Sequence, residues 1–302
     1  MPLPTDLPSE RPNPASEHID AVSTEELLAI INAEDALVAK AVEREVPSIA
    51  RALDAIEERY RRGGRLFYLG AGTSGRLGVL DASEIPPTFG ESPNRIVGVI
   101  AGGAPALVRS AEGREDSEDS GADDLRAHQF SAADALVGIA ASGRTPYVIG
   151  GLRYARELGA VTVALTTNPE AAMLAHADYP VTPQVGPEVI AGSTRMKSGT
   201  AQKLVLNMLS TGLMVRMGRV LGNRMVNVRP SNEKLRIRAQ RLIMEIAACD
   251  ADQAQKALGE ADDVRLAVLM IRFDCDLTQA RRRLDQADGV LRRALDIPAD
   301  TQ

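Results

Sequence analysis

"RLFYLGAGTSGRLG", Arg65–Gly78, is an apolar run that stops on GAGTSG and passes directly into a helical pattern. A short apolar strand, a glycine-rich turn and a helix make the first half of a βαβ unit. Four more runs repeat the texture downstream: "RIVGVIAGG", "ALVGIAASGRT", "AVTVALTTNP" and "ADYPVTP". Most are separated by helix-length segments. The pattern predicts an α/β fold, a parallel five-stranded sheet sandwiched by helices.

Upstream, Thr24 to about Arg61 reads as helix, with a cap in Ser23–Glu26. Apolar stripes run through Leu27, Ile30 and Ile31, then Val46, Ile49, Leu53 and Ile56, and Pro47 divides or kinks the run. The opening "MPLPTDLPSERPNP" is Pro-rich and polar. It reads as a mobile or extended arm rather than a secretory signal. Downstream, Gly186–Arg219 reads as a loop entering a long, Met- and Leu-rich helix, buried in the core or against a partner subunit. A helical tail follows, with breaks near Asp250, Asp262, Asp276 and Asp288, as in a bundle of short helices. The expected division is an N-terminal arm and helices over 1–55, a sugar-phosphate-binding domain over 56–230 and a helical domain over 231–302.

The composition excludes several classes of function. With 35 Lys+Arg against 41 Asp+Glu in 302 residues the net charge is −6, which argues against nucleic acid as partner. Aromatic residues are scarce and Trp is absent, so base-stacking platforms are not expected. No stretch approaches the ~20 apolar residues of a membrane span. Cys249 and Cys275 lack metal or redox spacing and read as small core residues of a reduced, cytoplasmic protein. His18, His128 and His176 are scattered, which supports neither a zinc site nor a Ser-His-Asp triad.

GAGTSG matches the dinucleotide pattern G-x-G-x-x-G, but that pattern also needs an acid at the end of the next strand. Here that strand ends in Ala101-Gly102-Gly103, and Asp81 and Glu84 come too early. The hydroxyls point to another ligand. Thr73, Ser74 and Gly75 sit where a helix start aims N–H groups at an anion, with Arg76 following, and Ser142, Gly143, Arg144 and Thr145 repeat the arrangement. Donors of this kind at a positive helix end suit a phosphate monoester. The plainer alternative is two Ser/Thr N-caps with structural glycines.

Three groups of carboxylates could carry chemistry. Glu84, in "GVLDASEIPPTFG" before a Pro-Pro break, is placed for partial desolvation, which would make it a general acid, or else it is a surface residue. "AEGREDSEDSGADD", from 111 to 124, is mostly a solvated loop or helix end, and periodicity does not single out one member. Glu188, in "GPEVIAGSTRMKSGT", precedes Ser193, Thr194, Arg195 and Lys197, a run rich in sugar and phosphate hydrogen-bonders that could equally be a capped loop.

At these same residues the chain resembles a known family. "LGAGTSGRLGVLDASEIPPTFG", "VGIAASGRTPYVIGGLRYARELG" and "GPEVIAGSTRMKSGTAQKLVLNMLSTGLM" are similar to the N-acetylmuramic acid 6-phosphate etherases, enzymes with a sugar isomerase (SIS) domain related to the glucokinase regulatory protein. The resemblance runs from about Asn13 through Lys234 and more loosely beyond. It implies a lyase that cleaves the lactyl ether of N-acetylmuramate 6-phosphate, giving N-acetylglucosamine 6-phosphate and D-lactate in cell-wall recycling. It also implies catalytic glutamates at Glu84 and Glu115, no metal or organic cofactor, and a homodimer with sites near the subunit interface. Arg114 stands beside Glu115 where a small residue is common in the family. Two alternatives on the same scaffold are a sugar-phosphate isomerase and a sugar-phosphate-sensing regulatory protein.

Overall fold

The computed structural model describes residues 7–109, 113, 115–228 and 233–298. Arg114 and Glu112 of the acidic run, and the first six residues, lie outside the described residues.

Helix α1 (Thr24–Arg44) opens on a reciprocal capping box: Ser23 Oγ accepts from the Glu26 N–H, and the Glu26 carboxylate accepts from the Ser23 N–H at 3.0 Å. Helix α2 (Val46–Arg61) follows after Glu45 alone. Pro47 sits in its first turn, where its missing N–H has no helical acceptor to lose, so the proline divides two helices.

The five apolar runs become β1 (Leu66–Gly70), β2 (Ile96–Ile100), β3 (Ala135–Ile139), β4 (Val161–Leu165) and β5 (Tyr179–Val181). All pairings are parallel, in the order β2-β1-β3-β4-β5. Leu66, Phe67, Tyr68 and Leu69 are fully buried, as expected of a central strand covered on both faces. Helix α3 (Gly72–Phe89) lies on one face, Gly78 against Tyr68 and Ile139. It runs through Pro86-Pro87 to Phe89 instead of breaking there. The prolines fall in its last turn, which closes with Gly90 N–H on Pro86 C=O. Helices α4 (Glu118–Ala127) and α5 (Pro146–Glu157) cover the other face; Leu152 and Val148 pack on Gly138. At the amino ends of β1 and β3, buried Asp134 accepts from Arg65 N–H at 2.8 Å and from its guanidinium at 2.9 Å. Burial pushes the Asp134 carboxyl up, but the Arg65 and Ser131 hydrogen bonds outweigh it and hold it below the usual carboxylate range.

The chain divides into two compact units. One comprises the residues up to Ser83 with Pro93–Ser210, and contains the sheet and most of α6 (Lys197–Arg216). The other comprises Glu84–Ser92 and the chain from Thr211 on. This second unit holds the β6 (Val220–Leu221) and β7 (Arg224–Met225) hairpin and five helices, α7 (Glu233–Ala247), α8 (Ala251–Ala261), α9 (Val264–Phe273), α10 (Leu277–Gln286) and α11 (Leu291–Asp296). Val226, Ile243, Leu258, Leu269 and Leu291 fill its core, with Cys249 and Cys275 half-buried at the edge. Three of the four expected breaks are caps: Asp250 and Asp276 close capping boxes with Gln253 and Gln279, and Asp262 ends α8 in the left-handed region, while Asp288 lies in the turn between α10 and α11. Segment 84–92 joins this unit through the Arg219–Glu91 ion pair at 2.7 Å and the Asn227 amide on Phe89 C=O. Among the described residues no helix is long and apolar enough to cross a membrane.

The Pro-rich opening is not a free arm over its described part. Pro8–Glu10 and Pro14–Ser16 form short 3-10 turns, with Leu7, Ser9, Asn13 and Ser16 buried. Hydrogen bonds to Pro187, Val189 and Gly192 hold it.

Candidate functional site

Strand order reverses between β1 and β3, so the chain leaves their carboxyl ends toward opposite faces and opens a crevice there. Both hydroxyl-rich loops follow these two strands, whose last residues, Gly70 and Ile139, pair directly. The repeat in the sequence is thus one crevice lined twice.

At the first loop α3 starts at Gly72, after Ala71, whose methyl cannot cap the helix. The N–H groups of its first turn have no intrahelical acceptor and carry the positive end of the helix dipole. Thr73 is half-buried, and among the described residues nothing engages its hydroxyl. Ser74 is buried, and its hydroxyl donates to Gln202 Oε1 of α6 at 2.9 Å. A Cβ on Gly75 would stand 2.6 Å from both Gly70 O and Ile100 Cγ1, so only glycine lets α3 leave β1 this tightly.

At the second loop Ser142 Oγ accepts from the Arg144 N–H at 3.3 Å. Gly143 takes φ +64°, with Ala171 Cβ 2.2 Å from where its own Cβ would be. Thr145 is the N-cap of α5, but its side chain accepts no N–H. The half-buried Arg144 guanidinium makes no ion pair among the described residues. Since neither Ala71 nor Thr145 caps its helix with a side chain, the N-cap alternative does not describe either loop. Thr166 and Thr167, at the end of β4, both donate to Ala141 C=O, at 2.9 and 3.1 Å, and the Asn168 amide donates to Ser142 C=O.

The start of α6 is a third helix N-terminus in this region, and it is filled. Glu188, fully buried, accepts from the Lys197 N–H at 2.8 Å, the Ser198 N–H at 2.9 Å and the Ser198 hydroxyl at 2.7 Å. A carboxylate already occupies the donors that an anion would need. Ser193 lies half-buried in the loop between, its N–H on Ile190 C=O. Gly199 stands against the Thr73 methyl side, which sets this loop beside the first one.

Of the two glutamates, Glu115 is exposed, and its backbone C=O accepts from the Tyr147 N–H at 3.0 Å. That bond ties it to the first turn of α5, next to Arg144 and Thr145. Glu84 is also exposed and belongs to the other compact unit. The partial burial expected of Glu84 falls on Asp81 instead. Asp81 Oδ1 accepts from the Asn207 amide at 2.7 Å and the Ser210 hydroxyl at 3.1 Å. Burial pushes the Asp81 carboxyl above its usual range against those hydrogen bonds. The buried Tyr68 hydroxyl is close to Asp81 and Ser210 but completes no hydrogen bond of good geometry, and Asp81 Oδ2 is likewise without one.

Sequence reasoning missed Thr166, Thr167, Asn168, Ser198 and Gln202. The first three had a signal: "TTNP" follows a strand, as the other two hydroxyl loops do. Among the described residues no three His, Cys, Asp or Glu side chains gather as a metal site would require.

Comparison with known proteins gives the descriptions "Glucokinase regulatory protein N-terminal SIS domain" over residues 48–156 and "SIS domain" over 116–212. An N-acetylmuramic acid 6-phosphate etherase of Symbiobacterium thermophilum is 59% identical over 82% of this chain and 82% of its own. That of Clostridium beijerinckii is 53% identical over 88% of each. A solved phosphoheptose isomerase of Neisseria gonorrhoeae is 19% identical with a TM-score of 0.48, covering 63% of this chain and 98% of its own.

Proposed function

Because the chain belongs to the N-acetylmuramic acid 6-phosphate etherase family, we propose that it cleaves the D-lactyl ether of N-acetylmuramate 6-phosphate with water, giving N-acetylglucosamine 6-phosphate and D-lactate in peptidoglycan recycling. The observation that carries the binding half of this reading is the uncapped start of α3, with the second hydroxyl-rich loop beside it at the end of the adjacent strand. Thr73 and the first-turn N–H groups of α3 take the 6-phosphate; Ser142, Arg144 and Thr145 complete the crevice. Ser74, Gly75 and Gly143 shape the loops. Glu188 acts by holding α6, and Ser193 faces the sugar.

The chemistry is acid–base throughout. In the open-chain sugar the C2 proton is α to an aldehyde and can be abstracted. The C3–O bond then breaks, lactate leaves with a proton, and water adds at C3 to the conjugated product. Glu84 protonates the departing lactate oxygen and Glu115 is the base for the incoming water. No step asks for a metal or an organic cofactor.

A homodimer with sites near the subunit interface fits one observation. Leu28 and Leu37 on α1, Leu80 on α3 and Met208 on α6 are exposed apolar side chains that a second copy would cover. The two unpaired cysteines suit a reducing, cytoplasmic setting.

The test is D-lactate release from N-acetylmuramate 6-phosphate, with C2-deuterium exchange followed in Glu84→Gln and Glu115→Gln. Glu84→Gln is expected to exchange at C2 without releasing lactate; full ether cleavage by that variant overturns its role. Binding without lactate release by the unaltered protein would favour a sensor, and aldose–ketose interconversion an isomerase.

A further inference from the structure

Lys197 opens α6 and is held at both ends. Its backbone N–H is on Glu188, and its ammonium, fully buried, lies 2.6 Å from Glu34 of α1. The same Glu34 oxygen accepts from the Asn13 amide at 2.8 Å, and that amide's other N–H donates to Pro187 C=O at 3.2 Å. Asn13 Oδ1 meanwhile accepts from the Ala15 N–H, fixing the 3-10 turn of the arm. The neighbouring turns reinforce the clamp: Ser16 Oγ donates to Val189 C=O at 2.7 Å, and the Gly192 N–H donates to Ser9 C=O at 2.8 Å. Burial raises the Glu34 carboxyl, but its hydrogen bonds from Lys197 and Asn13 win and hold it below the usual carboxylate range.

The network does not stop at α6. The Ser198 hydroxyl donates to Glu188, and its oxygen lies 3.1 Å from the Thr167 hydroxyl. Thr167 also reaches Ala141 C=O, the residue before Ser142. A continuous chain of polar contacts, half-buried at Glu34, therefore runs from the arm to the second hydroxyl-rich loop. An ammonium buried against a half-buried carboxylate is a costly way to fill space, which apolar side chains fill at no desolvation penalty. Its attested use is to specify a position, and here every member fixes either loop 187–196 or the first turn of α6.

We propose that Asn13, Glu34 and Lys197 are positioning residues of the etherase site: through them the N-terminal segment sets the pose of loop 187–196 and of the α6 start, and with it the affinity for the sugar phosphate. This rests on the etherase reading above. None of the three touches substrate.

The test uses the full-length protein with Asn13→Asp and Asn13→Ala. Aspartate keeps the Ala15 cap and the size of asparagine, but it loses both donors and sets a carboxylate against Glu34. Protonating it returns one donor. Asn13→Asp should raise KM for N-acetylmuramate 6-phosphate about tenfold at pH 8 with kcat within about twofold, and the excess over the unaltered protein should shrink toward pH 5.5. Asn13→Ala should raise KM about fivefold at both pH values, and it stands in if the aspartate variant does not fold. KM unchanged in a folded variant, a fall in kcat at constant KM, or an Asn13→Asp defect that ignores pH overturns the proposal. If the unaltered protein releases no lactate, the etherase reading fails by itself. Calorimetric Kd values for N-acetylglucosamine 6-phosphate in the same proteins then read the positioning effect by the same criteria.

Discussion

Thr73 and Ser74 are adjacent hydroxyls in one loop, yet among the described residues only Ser74 has a partner, so on the proposed reading replacing each should separate binding from stability. Ser74→Ala removes a buried hydroxyl from Gln202, whose side chain is also buried and whose Nε2 already lacks a partner. The lost bond is worth about 1 kcal/mol net, and the orphaned Gln202 oxygen adds about 1–2 kcal/mol. At a urea slope of about 2–3 kcal/mol per molar, the midpoint should fall by about 1 M. Thr73→Val keeps shape and removes a hydroxyl that nothing among the described residues engages, so its stability should move little, within about 0.5 kcal/mol. Its cost falls on the ligand. One hydrogen bond to a charged phosphate is worth about 1.5–3 kcal/mol, a Kd for N-acetylglucosamine 6-phosphate weaker by about 10- to 100-fold. Calorimetry with the phosphorylated and unphosphorylated sugars, beside urea titrations, reads both quantities. A double-mutant cycle with Gln202→Ala should return a coupling of about 1 kcal/mol for the Ser74 pair. The reverse pattern, an unmoved midpoint with lost phosphate affinity in Ser74→Ala and a silent Thr73→Val, would refute the assignment of the crevice.

Three further outcomes follow from specific contacts. Mixing Glu84→Gln with Glu115→Gln protein under subunit exchange should restore roughly one quarter of full activity, because one site in each mixed dimer regains both glutamates when they come from different chains; a mixture as inactive as its parents returns Glu84 to its own chain's site. Asp81 has a raised folded pKa, so its contribution to stability is present below its unfolded value and is lost as pH rises through the folded one; Asp81→Asn should therefore gain on the unaltered protein between pH 4 and pH 7 in paired urea titrations, and a constant difference would contradict the burial argument. Asp134 has a lowered folded pKa, so its contribution is present above the unfolded value and is lost as pH falls through the folded one; Asp134→Asn should cost about 3 kcal/mol at pH 7 and much less near pH 3.

The strands were legible because a parallel sheet covered on both faces writes itself as short continuous apolar runs, and all five runs sit in it. The arm was not legible, because nothing periodic marks it. Asn13 and Ser16 are buried through bonds to Pro187 and Val189, partners that no local pattern reveals. The buried carboxylate of α3 was legible in principle and misread. Ser74, Gly78, Asp81, Ile85 and Phe89 are spaced four, three, four and four apart and form the buried stripe of the helix, whereas Glu84 falls off that stripe.

Glu188 shows where sequence reading stops for a physical reason. A capping box announces itself through a fixed three-residue spacing, but Glu188 caps α6 across a loop, reaching residues 197 and 198. From sequence, an acid ahead of Ser, Thr, Arg and Lys reads equally as a sugar contact or as a cap. The two readings have opposite electrostatic consequences, because a carboxylate seated on a helix start repels the phosphate that an empty start attracts. Three helices begin near this crevice: Glu188 fills the start of α6, and α5 opens on Pro146 with its Tyr147 N–H on Glu115 C=O, so among the described residues α3 is the one that keeps free first-turn donors. On the proposed reading the phosphate therefore goes to α3, the start that GAGTSG leaves without a side-chain cap.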